Sequence, residues 1–391
     1  MPDGNDARVI KVVGSLADVS ADAWNACAGN GNPFVRHGFL SALEDSGSVT
    51  AETGWMPRHV ILEGADGRLE ACAPLYLKTH SYGEYIFDWG WAEAYERAGG
   101  RYYPKLQCAV PFTPAPGPRL LVRSDFEGDA RRERLIILGA GMTKLAEQLE
   151  VSSVHITFCD KETFDVLGDG GSYLQRLSQQ FHWHNQNYHS FDDFLGALSS
   201  RKRKSIRKER SKVAELGLDI HTLSGSDIEE WHWDAFYDFY LSTTDKKWGQ
   251  SYLRRSFFSL LGARMADDIV LIMAFDGDRP VAGALNLRGA DCLYGRNWGA
   301  LEDYKFLHFE CCYYRAIDYA IEHGLARVEA GAQGPHKVQR GYLPAPTYSL
   351  HYLRDPGFED AVADFLKREK AGVEYEMKQI VTEMSPYRQA D

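Results

Sequence analysis

No CxxC pair occurs anywhere in the 391 residues, and the seven cysteines, Cys27, Cys72, Cys108, Cys159, Cys292, Cys311 and Cys312, are odd in number. Several lie inside apolar runs, as in Glu70–Leu77 and Asp291–Tyr294. They read as reduced, mostly buried thiols rather than a disulfide framework. Long apolar runs are missing too: none reaches 18 residues, so no membrane span is expected. The N-terminus, MPDGNDARVIKVV, lacks the basic-then-apolar order of a signal peptide, and a cytoplasmic protein is the expectation. Positive charge is scarce. The 44 Lys and Arg against 55 Asp and Glu leave a net charge of −11, which excludes a general nucleic-acid binder but not one local basic site.

Hydrophobic residues make up 44% of the chain and aromatics 13%, enough for real cores and for large ring-lined clefts. The length suits two domains or one double domain. In order, the pattern predicts a strand over 9–13, helices over 20–28 and 33–46, and a hairpin of Arg58–Glu63 and Leu69–Lys78 turned at Asp66-Gly67. Tyr85–Trp91 reads as a third strand. Residues 98–121, with five prolines, read as an irregular apolar wall. A helix over 129–150, a strand over Ser153–Cys159 and an extended Phe181–His189 complete the first half. The second half reads as one helix from Phe191 to Leu216, then a strand, two helices and a meander of Asp268–Phe275, Pro280–Arg288 and Asp291–Trp298. A helix over Phe306–His323 follows, with its apolar stripe at helical spacing. The strand Ala326–Ala330 leads into a loop, and a further strand and a charged helix end the chain.

Two matches suggest a duplication. Ala73–Lys78 lies over Gly283–Arg288, each after a strand and an Asp-Gly turn. Asp88–Tyr95 lies over Asn297–Tyr304, sharing Trp-Gly, then Glu, then Tyr. The expected fold is α+β, with two tandem units of mixed, mainly antiparallel sheet flanked by helices, over 1–185 and 186–391.

Two segments concentrate polar chemistry. Arg201–Arg210 carries seven cations in ten residues. It reads either as a solvated helix face or as a dock for phosphate, with Arg203, Lys204, Arg207 and Lys208 the phosphate-binding candidates. The segment Glu329–Tyr342, EAGAQGPHKVQRGY, brackets Glu329, Gln333, His336, Lys337 and Arg340 with glycines that let backbone approach a ligand. His182 and His184 alternate on an extended segment and share a face. No acid or cysteine has matching spacing, so no metal is expected there.

The strand–helix–helix–meander–helix–strand order resembles the GNAT acyltransferase fold, and its duplication resembles the Fem-type peptidoglycan peptidyltransferases. The resemblance is closest to the FemAB-like peptidoglycan biosynthesis/recognition family. It is carried by Tyr102–Leu106 with Pro111–Pro114, by Phe181–Asn185, by Ser200–Arg210, by Leu307–Glu310, and by Gly331–Lys337 with Arg340-Gly341. It implies an N-acyltransferase that moves an acyl or aminoacyl group from acyl-CoA or aminoacyl-tRNA to a small-molecule or peptide amine, with a tRNA acceptor end among the partners. Amide formation then needs a base, oxyanion donors and aligned substrates.

Glu310, Glu329 and His336 are the candidate catalytic groups. For the two acids, the competing reading is a buried ion pair with Arg315 or Lys337. Substrate-binding candidates are Tyr102, Tyr103, Lys105, His182, His184, Asn185, Arg296, Trp298, Gln333, Lys337 and Arg340. The GNAT pyrophosphate loop has its best counterpart in Arg296–Leu301, which departs from that pattern at Leu301. The alternative reading is a GNAT-fold protein without turnover that binds an anionic peptidoglycan precursor or metabolite.

Overall fold

The computed structural model describes residues 8–247, 251–331 and 334–388. They gather into two compact units, Met1–Ser178 with Pro346–Glu374, and Gln179–Ala345 with Tyr375–Asp391. Relative to the expected halves, 1–185 and 186–391, the segment Pro346–Glu374 returns to the first unit.

The first unit contains β1 (Val9–Val13), β2 (Trp55–Pro57), β3 (His59–Glu63), β4 (Leu69–Ala73), β5 (Leu75–Lys78), β6 (Lys105–Cys108), β7 (Leu121–Val122) and β8 (Ser153–Cys159). Strands β1, β3, β4 and β7 form one antiparallel sheet. Pro74 has no N–H to donate, and there the run Leu69–Lys78 divides: β4 stays in that sheet while β5 joins β2 and β6 in another. Strand β6 is parallel to β8. The helix Gly128–Gln148 lays Leu135, Leu138, Met142 and Ala146, spaced along one helical stripe, among Val60, Leu62, Leu106, Val154 and Ile156.

The second unit is built on β9 (Leu174–His184), which enters it at Gln179, and on β10 (Asp219–Leu223), β11 (Ile269–Asp276), β12 (Arg279–Arg288), β13 (Cys292–Ala300) and β14 (Arg327–Glu329). β10 to β13 form an antiparallel meander, β13 is parallel to β14, and β14 is antiparallel to β9. The last strand, β15 (Leu343–Leu353), carries the chain back to the first unit and pairs antiparallel with β8. Each unit thus holds a parallel pair, β6 with β8 or β13 with β14, whose second member is flanked by an antiparallel strand. That shared order is the duplication the sequence suggests.

The meander, the helix Leu307–Glu322 and the strand after it stand where the sequence puts them. Four readings need correction. Tyr85–Trp91 is not a strand: Tyr85 has φ +61, and the helix Trp89–Arg97 starts within the segment. The strand sits instead at β6, inside the segment read as an irregular wall. Asp88–Tyr95 and Asn297–Tyr304 are not equivalent, because the first opens a helix and the second begins in β13. The helix expected over Phe191–Leu216 is two, Phe191–Ala197 and Ser200–Ala214, parted where Leu198 bridges to Tyr387.

Gly299 shows why that Trp-Gly match misleads. The helix Glu230–Lys247 crosses β13 so closely that a Cβ on Gly299 would lie 1.9 Å from the Phe239 carbonyl oxygen. Backbone, unlike a side-chain tip, cannot swing away. Gly299→Ala is expected to destabilise the chain by roughly 1–3 kcal/mol through overpacking. Gly90→Ala, where nothing lies within 4 Å, is expected to leave the urea midpoint unchanged.

Candidate active site

Arg327 and Glu329 alternate on β14, so their side chains leave one face. Pairing sets Glu329 opposite His182 of β9. Arg327 Nε donates to Glu329 Oε1 at 3.0 Å, and Arg327 Nη1 donates to Asp291 at 2.7 Å. The other oxygen, Glu329 Oε2, is buried without a hydrogen-bond partner. So is His182 Nε2, 3.9 Å from it. Burial raises the Glu329 carboxyl to about 7 despite the nearby Arg327. Burial, then Arg327, pushes His182 down to about 3, so its ring is neutral at ordinary pH. An acid poised near neutrality therefore faces an uncharged imidazole.

The sheet pairing ends beside this acid. β13 and β14 pair at only three positions, from Cys292 opposite Arg327 to Tyr294 opposite Glu329. Beyond them β13 continues along β12 to Ala300, while the chain after Glu329 leaves the sheet. Arg296 is the extra residue of a bulge in β13, between Gly295 opposite Asn286 and Asn297 opposite Leu285. Glu329 thus stands where two parallel strands separate. Past Tyr294, no described strand pairs with the β13 edge that faces β14.

The glycine-bracketed segment is fastened by its own cations. Buried Lys337 donates from Nζ to the Gly331 carbonyl at 2.7 Å, and burial lowers its pKa to about 8. Arg340 donates to Tyr314 Oη at 3.1 Å, to the His336 carbonyl at 2.8 Å and to both oxygens of Glu209, and its guanidinium lies 3.5 Å over the Phe309 ring. His336 is exposed, with Nε2 2.8 Å from Tyr313 Oη; burial, Arg340 and Lys337 lower its pKa. Gln333 lies outside the described residues.

Within the helix Leu307–Glu322, residues Glu310–Tyr314 form a π turn, a local widening found often at functional sites. Glu310 sits at its start. Its oxygens accept from Arg210 at 3.0 and 3.1 Å and from Arg315 at 3.1 Å. Arg210 also holds Asp318 at 2.8 Å. The buried ion pair weighed for Glu310 is present with Arg315, and Arg210 is a second cation on it.

On the basic helix, Ile206 and Val213 face inward and Arg210 reaches Glu310. Arg203 is half-buried, Lys204 and Lys208 are exposed, and exposed Arg207 pairs with Asp192. A cavity of about 240 Å³ opens beside this helix, but its cations are Arg201, Lys202 and Arg340, with Ser205, Glu209 and Gln339 also lining it.

Arg296 and Trp298 are half-buried on β13, and Trp298 packs on His308 with ring centroids 5.4 Å apart. Arg296–Ala300 is therefore strand, not a phosphate loop at a helix start. His184 is exposed, and Asn185 shapes the turn after β9 by accepting from the Tyr188 N–H at 2.7 Å. Tyr102 and Lys105 are fully enclosed in the first unit. Lys105 Nζ donates to Ser81 at 2.8 Å, to Glu84 at 2.7 Å and to Asp88, which also accepts from Tyr102 Oη at 2.6 Å. Half-buried Tyr103 is joined to Ser81 at 2.8 Å. Sequence reasoning did not single out Arg327, nor Arg201 and Lys202 within the basic segment. The Arg-x-Glu alternation on a strand was the available signal for the first.

Two α+β units with a separating parallel pair define a tandem GNAT-fold protein. The chain belongs to the FemAB-like family, described as peptidoglycan biosynthesis/recognition, whose sequence profile matches residues 15–389. Among solved structures, it is similar to FemX, at 12% identity and a TM-score of 0.54, over 91% of this chain and 100% of that one. It is also similar to L-PGS from Bacillus licheniformis, at 10% identity and a TM-score of 0.55, over 91% and 99% of the two chains. A third likeness is to the C-terminal DUF2156 domain of a putative lysylphosphatidylglycerol synthetase from Agrobacterium fabrum, at 7% identity and a TM-score of 0.54, over 94% and 97%. At these identities the likeness is one of fold. Comparison with curated proteins gives no match. No described helix is long and apolar enough to cross a membrane.

The two acids differ in what their removal does. The folded pKa of Glu329 lies above its unfolded value of 4.5. Between about 4.5 and about 7 the folded chain holds the extra proton, so the stability contributed at this site falls as pH rises through that window and is least above it. Glu329→Gln is expected to raise stability at pH 8, by up to about 3 kcal/mol, and hardly at all below pH 4.5. Glu310→Gln is expected to cost roughly 2–3 kcal/mol at either pH, less than a fully buried pair because Arg210 keeps Asp318. Urea denaturation at pH 5 and pH 8 separates the two.

Proposed function

We propose that the protein is an N-acyltransferase of cell-wall metabolism that transfers an acyl or aminoacyl group from an activated ester or thioester to an amine. The observation that carries this reading is the unpartnered, buried Glu329 Oε2, facing the neutral His182 where the β13–β14 pairing ends. In the reaction the amine nitrogen attacks the acyl carbonyl, the new C–N bond forms and the C–O or C–S bond breaks. Glu329 as carboxylate takes the proton the amine must lose, and the leaving oxygen or sulfur is released to be protonated in turn. A carboxyl near 7 suits this work, because it is substantially ionised at neutral pH and still basic enough to accept a proton.

His182 keeps the far side of the acid uncharged. Lys337 uses one N–H on Gly331 and has two more, suited to the developing oxyanion. The unpaired edge of β13 offers backbone groups to an extended substrate arm, in the manner of an added strand.

The donor is the open half of the reading. Because Arg296–Ala300 is strand, this segment gives a CoA pyrophosphate no helix N-terminus, which favours aminoacyl-tRNA over acyl-CoA held in the usual GNAT pose. The same observation supports the second reading, a binding protein without turnover for an anionic peptidoglycan precursor. Titration with acetyl-CoA, a longer acyl-CoA and charged tRNA distinguishes them: binding of none, with binding of a precursor, defeats the transferase. For the enzyme, kcat/KM is expected to rise with pH through about 7 as Glu329 ionises. Glu329→Gln is expected to lower it by roughly 10²–10⁴-fold and abolish that limb. An unchanged profile in the variant removes Glu329 from the mechanism.

A further inference from the structure

The cavity between the first turns of the basic helix and the turn Pro335–Arg340 has an unusual charge balance. Three cations line it, against one acid. That acid, Glu209, is already committed: its oxygens accept from Arg340 Nη2 at 3.0 and 2.9 Å, and one also accepts from Tyr314 Oη. Glu209 therefore answers Arg340 and leaves Arg201 and Lys202 unanswered. Among the described residues neither has an acidic partner. Half-buried Lys202 shows the consequence, since burial, Arg201 and Arg340 all disfavour its charged form. Like charges are crowded here although the protein as a whole carries −11, so the crowding is local and not part of a general basic field.

The site is also built in advance. Arg340, only 7% exposed, is held by three partners and stacked on Phe309, so its guanidinium loses little freedom when an anion arrives. Ser205 and Gln339 add neutral donors at the rim. About 240 Å³ accommodates a phosphate or diphosphate group but not a stretch of nucleic-acid helix.

We propose that this cavity binds the phosphate or diphosphate group of a small phosphorylated molecule, through Arg201 and Lys202, with the fixed charge of Arg340 in the cavity wall. The fork of Arg201 suits paired contacts to phosphate oxygens, and Lys202 supplies a point charge. The anion relieves the repulsion among the three cations. Because Arg340 also holds the His336 carbonyl, the cavity is tied directly to the turn that carries Lys337. This assignment stands apart from the acyl-transfer reading: it needs neither Glu329 nor turnover.

The test uses the full chain in calorimetric titrations with inorganic pyrophosphate, inorganic phosphate and a 12-nucleotide single-stranded RNA, in 150 mM salt. Saturable 1:1 pyrophosphate binding is expected, weakened by about tenfold or more in the double variant Arg201→Gln, Lys202→Gln. The control double variant Arg207→Gln, Lys208→Gln removes the same charge from the same helix outside the cavity and is expected to change affinity less than about twofold. If the first double variant does not fold, Lys202→Gln alone is expected to lose about threefold or more. No saturable pyrophosphate binding, equal losses in cavity and control variants, or RNA binding that pyrophosphate does not displace overturns the proposal. Activity with an acyl donor plays no part in any of these outcomes.

Discussion

A carboxyl group with one oxygen satisfied and the other facing a neutral ring is the feature on which the second unit turns. Arg327 fixes Glu329 Oε1, and His182, too buried to be charged, confronts Oε2. Had His182 been a cation, the acid would be an ordinary ion pair. Had Arg327 been absent, burial would hold the proton on more firmly still. The two neighbours together set the group between those limits. It stands where β14 ends and β13 runs on.

The neighbouring charges are arranged for rigidity. Glu310 is held by Arg210 and Arg315 at the start of a π turn, and Glu209 is held by Arg340. Arg340 then fixes the turn whose Lys337 closes on Gly331. Arginine suits these positions because its planar fork satisfies two acceptors at once. The first unit has a buried charge cluster of its own. Beside its own parallel pair, Lys105 answers both Glu84 and Asp88, and Asp88 stays well below the usual carboxylate range, against its burial, because of that lysine. There too an ion-paired acid keeps one buried oxygen without a hydrogen-bond partner, and burial raises Glu84 to about 7. What distinguishes Glu329 is the uncharged His182 opposite its free oxygen.

Much of this order was legible in the chain. The meander of β11 to β13 announces itself by short apolar runs and by the Asp276-Gly277 turn, and the helix Leu307–Glu322 by its apolar stripe. Glu329, His336, Lys337 and Arg340 stand out because so many ionisable groups are a poor way to stabilise a loop. Three things stayed hidden for physical reasons. In Ser81–Trp89 the alternation is inverted: Ser81, Glu84 and Asp88 turn inward to Lys105 while Tyr82, Phe87 and Trp89 are exposed, so aromatic periodicity mimics a strand. The return of β15 to β8 depends on a partner distant in sequence, which local pattern does not encode. The cavity cations Arg201 and Lys202 share a run with five others, and only the approach of the Pro335–Arg340 turn selects between them.

The central claim is that burial, and not any permanent partner, keeps the Glu329 carboxyl half-ionised near neutrality. Isotope-edited infrared or carbon NMR titration of the Glu329 carboxyl in the intact chain tests it most directly. The account predicts a midpoint near 7, well above the ordinary glutamate value of 4.5. A midpoint at or below that ordinary value would mean that Arg327 dominates, and that Glu329 is one more structural ion pair.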